Sequence, residues 1–168
     1  MKHILKKVIA IATVVTMLAA VPAMDAQAAV VKYATYTNTR FTYTVKYPTT
    51  FQRADYGSGD GTKLFSKDGK AKATIWNSYG KTGKRSGKTV VATAKKNRKI
   101  NVKKATKTEC SYSYKMGKNT IQYCYVFLKN GEIAFQLTYP TASKKYYSAA
   151  AKGMMASLKK NKSLTLND

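Results

Sequence analysis

Acidic residues are scarce in this chain. Its 168 residues hold 7 Asp+Glu against 31 Lys+Arg, a formal net charge of +24. Histidine occurs once, at His3. That excludes His-based catalysis, and His metal ligands with it, from everything beyond the first residues. Cysteine occurs twice, at Cys110 and Cys124. Two cysteines without histidine cannot close a tetrahedral zinc site. Long apolar runs are also missing. The single candidate, residues 8–21, is shorter than the roughly 20 residues that a membrane span needs. Arginine is rare among the cations, at Arg40, Arg53, Arg85 and Arg98. No metal ligand set, no catalytic residue and no cofactor motif emerges. Asp60 and Asp68 precede glycine and Glu132 follows Asn-Gly, so turn formation accounts for three of the few acids.

What is present begins with an address. Three lysines (Lys2, Lys6, Lys7), the short apolar run, Pro22 and the small residues Ala26 and Ala28 before Ala29 form a secretory leader. Cleavage at Ala29 leaves 28 basic and 6 acidic residues, a mature charge of +22. The expected organisation is a leader over 1–28, one domain over 29–162 and a frayed tail over 163–168. The expected location is secreted, with no anchor left after cleavage.

Alternation of apolar and polar residues reads as strands. Phe41, Tyr43, Val45 and Tyr47 form one, ended by Pro48. Asp68-Gly69 joins 62–67 to 70–77, and pairing Lys67 with Lys70 sets Leu64 opposite Ala73, on a face shared with Ala71 and Ile75. Residues 109–114, 121–128 and 133–139 read as a three-stranded meander. Pairing Lys129 with Glu132 gathers Cys124, Val126, Leu128, Ile133, Phe135 and Leu137 on one face. A first hairpin centred near Gly117 sets Cys110 directly opposite Cys124, which predicts a cross-strand disulfide in an oxidising compartment. A slip of one residue would put the two sulfurs on opposite faces. Tyr123, Tyr125 and Phe127 make the other face apolar too, so cover is expected on both sides. Residues 89–100 suit a helix capped by Thr89. A second helix places Tyr147, Ala150, Ala151, Met154 and Leu158 on one stripe.

The run Tyr36-Thr37-Asn38-Thr39-Arg40-Phe41-Thr42-Tyr43, then Tyr47-Pro48, Gly59-Asp60-Gly61, Phe65-Ser66 and Asp68-Gly69-Lys70-Ala71 follow in order. Leu137-Thr138-Tyr139-Pro140, Tyr147 and Ala156-Ser157-Leu158-Lys159 complete the series. Together, over roughly residues 35–160, they resemble bacterial members of the PsbP-like superfamily. The resemblance implies an α+β fold, an antiparallel sheet between helices (an α/β/α sandwich), and a module that docks rather than catalyses. It supplies no catalytic residue.

Charge is the strongest functional signal. From Gly69 to Thr108 there is no acid. The expected polyanion-binding residues are Lys81, Lys84, Arg85, Lys88, Lys95, Lys96, Arg98, Lys99, Lys103, Lys104 and Lys107. Such a field concentrates polyanions such as teichoic acid, acidic polysaccharide, anionic lipid or released nucleic acid. The lysine bias favours loose attraction over forked recognition. The expectation is a non-enzymatic module with an anionic envelope polymer as partner. Protein docking with incidental charge is the alternative. A hydrolase, or a dedicated nucleic-acid binder, is disfavoured.

Overall fold

The computed structural model describes residues 30–54, 59–80, 83 and 85–167. The leader, with Ala26, Ala28 and Ala29, lies outside the described residues, as do Lys81 and Lys84. A two-stranded ribbon comes first, β1 (Tyr33–Asn38) paired antiparallel with β2 (Tyr43–Pro48). The main sheet follows, from β3 (Phe51–Ala54), β4 (Gly61–Ser66) and β5 (Lys72–Tyr79). After helix α1 (Gly87–Asn97) come β6 (Asn101–Ala105), β7 (Glu109–Met116), β8 (Asn119–Leu128) and β9 (Gly131–Pro140). Helix α2 (Lys144–Leu158) follows one short helical turn, Thr141–Ser143. The seven strands run β3-β4-β5-β9-β8-β7-β6, each antiparallel to its neighbour. This is an α+β architecture. One layer of the sandwich is mixed, because α2 packs on β2 of the ribbon as well as on β8 and β9.

The face under α2 and the ribbon carries the larger core. Leu64, Ala73 and Ile75 meet Phe135 and Leu137 of the sheet, Tyr43 and Val45 of the ribbon, and Met154 and Leu158 of α2. The Leu64–Ala73 pair forms as expected. The opposite face packs Cys110, Tyr112, Tyr125 and Ala134 against Val91 of α1.

Two registers differ from the sequence reading. Val126, not Leu128, lies opposite Ile133, so the β8–β9 hairpin turns one residue earlier than expected and its pairing shifts by two. A shift of two keeps each side chain on its face, and Cys124, Val126, Ile133, Phe135 and Leu137 share the core as anticipated. The β7–β8 hairpin differs by one. Its turn is Gly117-Lys118, with Gly117 at φ 58, so Cys110 pairs with Tyr125 and Cys124 with Ser111. The thiols therefore point to opposite faces and both are free. The expected disulfide does not form. Burial pushes Cys110 up to about 12 and Cys124 up to about 11, so both remain protonated thiols at neutral pH.

The expected frayed tail is instead docked. Leu164 is fully buried beside the core. The Thr165 N–H donates to Thr42 Oγ1 at 3.2 Å, and the Asn167 N–H donates to the Arg40 carbonyl at 2.8 Å. Burial of Leu164 and these hydrogen bonds together hold the tail on the ribbon.

Candidate functional site

Helix α1 begins two residues before the sequence reading placed it. Ser86, not Thr89, is the cap. Its hydroxyl accepts from the Thr89 N–H, and Thr89 Oγ1 accepts from the Ser86 N–H at 2.9 Å. Gly87 starts the helix where a Cβ would stand 2.1 Å from the Glu109 carbonyl oxygen, so only glycine lets the first turn approach β7. The Lys88 N–H fixes this contact by donating to the Thr106 carbonyl at 3.0 Å.

Docked this way, α1 leaves a groove of about 610 Å³ between itself and the sheet. Thr89, Thr93 and Asn97 line it at one-turn spacing on the helix. Tyr112, Tyr114, Tyr123 and Tyr125 line it from β7 and β8. These rings stand in a ladder. Tyr112 and Tyr123 stack at 5.3 Å and 17°, and Tyr123 and Tyr125 at 6.3 Å and 11°. Phe127 extends the stack, and Trp76 closes on Tyr125 edge-on at 5.9 Å. The ring faces are thus occupied by one another, and what the rings offer a ligand is edges and hydroxyls. Burial, with neighbouring phenols adding to it, pushes Tyr112 up to about 12 and raises Tyr123 and Tyr125, so the phenols stay protonated donors.

Two guanidiniums bound the groove. Arg98 lies over the Tyr114 ring at 4.4 Å. Arg85 sits 6.0 Å from the Tyr125 ring and donates to Glu132 Oε1 at 2.7 Å. Glu132 is 1% exposed, and its other carboxylate oxygen has no hydrogen-bond partner. Burial raises this carboxyl, with Arg85 opposing that shift. Among the described residues, no carboxylate lines the groove.

The described residues of the expected basic segment are exposed but do not form a single surface. Lys88, Lys95, Lys96 and Lys99 ring α1 and its exit, beside Arg85 and Arg98. Lys103 and Lys104 instead line a second cleft, on the α2 side of the sheet. An irregularity between Val102 and Lys104 in β6 accompanies that turn of face. Lys104 and Lys159 both pair with Glu109. Lys107 is exposed in the link to β7. Sequence reasoning missed the tyrosine ladder as a groove lining, although the alternation of Tyr112, Tyr114, Tyr123 and Tyr125 was its visible signal. No group of three His, Cys, Asp or Glu side chains that could hold a metal ion occurs among the described residues.

No family model matches the chain, and no curated protein matches it. Similarity appears among solved structures. The Ran-binding protein Mog1p of Saccharomyces cerevisiae aligns at 9% identity and TM-score 0.53, over 76% of this chain and 94% of that one. Cyanobacterial PsbP (CyanoP) from Synechocystis aligns at 10% identity and TM-score 0.51, over 82% of this chain and 94% of that one. The chain therefore has the PsbP-like fold that these proteins share, as its sequence motifs implied.

Proposed function

We propose that this protein is an exported, non-enzymatic binding module that takes anionic polymers of the cell envelope on the face carrying α1. The observation that carries the reading is the groove itself. It joins Arg85, Arg98, tyrosine and threonine hydroxyls and an Asn amide, with no lining carboxylate among the described residues, while exposed lysines stand elsewhere on α1 and at its exit. Protonated phenols and guanidiniums donate to anionic oxygens, and the surrounding charge draws the polymer in. Single-stranded nucleic acid fits less well, because base stacking needs free ring faces and the ladder covers its own. Export rests on the leader and on the mature charge of +22.

Co-sedimentation of the mature protein with isolated envelope tests this. Saturable binding is expected at ionic strengths where screening reaches about 8 Å. It should be lost when Lys95, Lys96, Arg98 and Lys99 are all changed to Glu. Unchanged binding by that variant would overturn the reading. A second reading, protein docking, draws on the fold shared with a Ran-binding protein. It gains if envelope binding vanishes at that salt while one protein is crosslinked reproducibly.

A further inference from the structure

The opposite face of the sheet carries a cleft of about 640 Å³ that the proposed function does not use. Its floor is unusual for the underside of a packed helix. β7 and β8 present Ser111 and Gln122 there, both nearly buried, next to the Cys124 thiol. The Gln122 carbonyl accepts from the Tyr139 hydroxyl at 3.2 Å, which fixes the orientation of the amide. Its amide nitrogen is left with two long contacts, 3.4 Å to Ser111 Oγ and 3.8 Å to Cys124 Sγ. Both hydrogens of this amide, only 3% exposed, are thus spent within the floor, whereas Ser111 Oγ, which also accepts from the Cys124 thiol at 3.3 Å, keeps its own hydroxyl hydrogen to give. On the α2 wall, Ala149 and Ala156 are small enough to leave room for a ligand, and Ser148 adds a hydroxyl.

The rim supplies charge. Lys103, Lys104, Lys152 and Lys159 surround the cleft, and Glu109 is its one carboxylate among the described residues. Lys104 and Lys159 are engaged by Glu109, the latter at 3.2 Å. Lys103 reaches Ser148 Oγ at 3.4 Å. The local balance is four ammoniums to one carboxylate, with Lys103 and Lys152 outside the Glu109 cluster. Lysine acts as a compact point charge suited to phosphate. A neutral floor with a hydroxyl donor at Ser111 suits the hydroxyls of a polyol, and the Glu109 carboxylate can accept from one.

We propose that this second cleft binds a phosphorylated sugar or polyol. The phosphate lies between Lys103 and Lys152, and the hydroxyl-bearing body lies over Gln122 and Ser111. The site is separate from the α1 groove and does not depend on it.

Amide chemical-shift titration of the mature protein with glucose 6-phosphate tests the assignment, with glucose and inorganic phosphate as parallel ligands. The expected result is saturable shifts at Ser111, Gln122, Ser148 and Lys152. Binding should weaken at least about tenfold in the Lys103→Ala/Lys152→Ala variant, a loss of about 1.4 kcal/mol. Both positions are exposed, so the variant should keep the parent melting temperature. The four-fold charge reversal on α1 should leave this binding in place. Inorganic phosphate binding as tightly as glucose 6-phosphate would overturn the proposal, as would shifts confined to α1 and the tyrosine ladder. Absence of binding up to about 10 mM would overturn it as well.

Discussion

Under α2 and the ribbon, Leu64, Ile75, Phe135 and Leu137 are shut off from water, and a single cluster of aliphatic and aromatic side chains runs from the sheet through β2 to the tail at Leu164. Under α1 the same sheet is covered by a shorter helix. There Trp76, Tyr114, Tyr123 and Phe127 keep part of their surface exposed, the tyrosines and Phe127 stacked in the ladder and Trp76 edge-on to it. The first face obtains its free energy from complete burial of aliphatic and aromatic side chains alike. The second divides its aromatic surface between packing and an open groove. A sheet face that is completely packed has no room for a ligand. The α1 face leaves a groove open, and so does the far end of the α2 face where β7 turns polar.

The largest expected effect tests that contrast directly. Phe135→Ala empties the fully buried face and should cost about 3–5 kcal/mol in urea unfolding. Tyr114→Ala, at the open end of the ladder, should cost about 1 kcal/mol or less. Equal losses would mean that the two faces contribute alike. A smaller effect sharpens the comparison. Gly87→Ala drives a methyl group into the Glu109 carbonyl and should cost about 1–3 kcal/mol. Hydrogen exchange should locate that loss in α1 and leave α2 protected. Loss spread evenly over both helices would show that the two covers are coupled.

The smallest effects are in pH dependence, and the two faces should differ in sign. Glu132, on the α1 face, is raised above its ordinary 4.5 by burial, against the pull of Arg85. The folded chain then binds more protons than the unfolded one just above that value, so this group's stabilisation falls as pH rises through the folded pKa. Glu109, on the α2 face, is lowered. Burial alone would raise it, but the hydrogen bonds and charges of Lys104 and Lys159 outweigh burial. Its stabilisation is present above 4.5 and is lost as pH falls through the folded value. Glu132→Gln should therefore flatten the decline on the alkaline side of that value, and Glu109→Gln the decline on the acid side. Urea midpoints measured across the acid range would show both, and an identical slope change in the two variants would remove the distinction.

Much of the fold was legible because strands advertise themselves by alternation. Leu64, Ala71, Ala73 and Ile75 declared one core face, and the Asp68-Gly69 turn set their register. The stripe from Tyr147 to Leu158 declared α2. Three strands were not legible. β1 mixes threonine and asparagine among its tyrosines, β3 has only four residues, and β6 is an edge strand in which lysines replace alternation, so its pairing depends on β7 and not on its own side chains. The site was legible only in part. Arg85 and Arg98 belonged to the expected basic segment and do bound the α1 groove. Lys103 and Lys104 belonged to it as well, but β6 carries them to the other face.

The cysteines show where local pattern stops. Residues 109–128 specify a hairpin, yet a turn centred on Gly117 and a turn over Gly117-Lys118 are nearly the same in sequence. They differ by one residue of register, and that residue decides whether two sulfurs meet or face apart. Composition by itself determined the net charge, the scarcity of acid and the absence of histidine chemistry, because these are sums over residues and need no geometry. Periodicity determined which residues turn inward, because alternation and helical spacing are local. The tertiary structure alone decided the hairpin register, the folding-back of Leu164 and the division of one basic segment between two clefts. Each of these depends on contacts between residues far apart in the chain, and their energies cannot be read from any single segment.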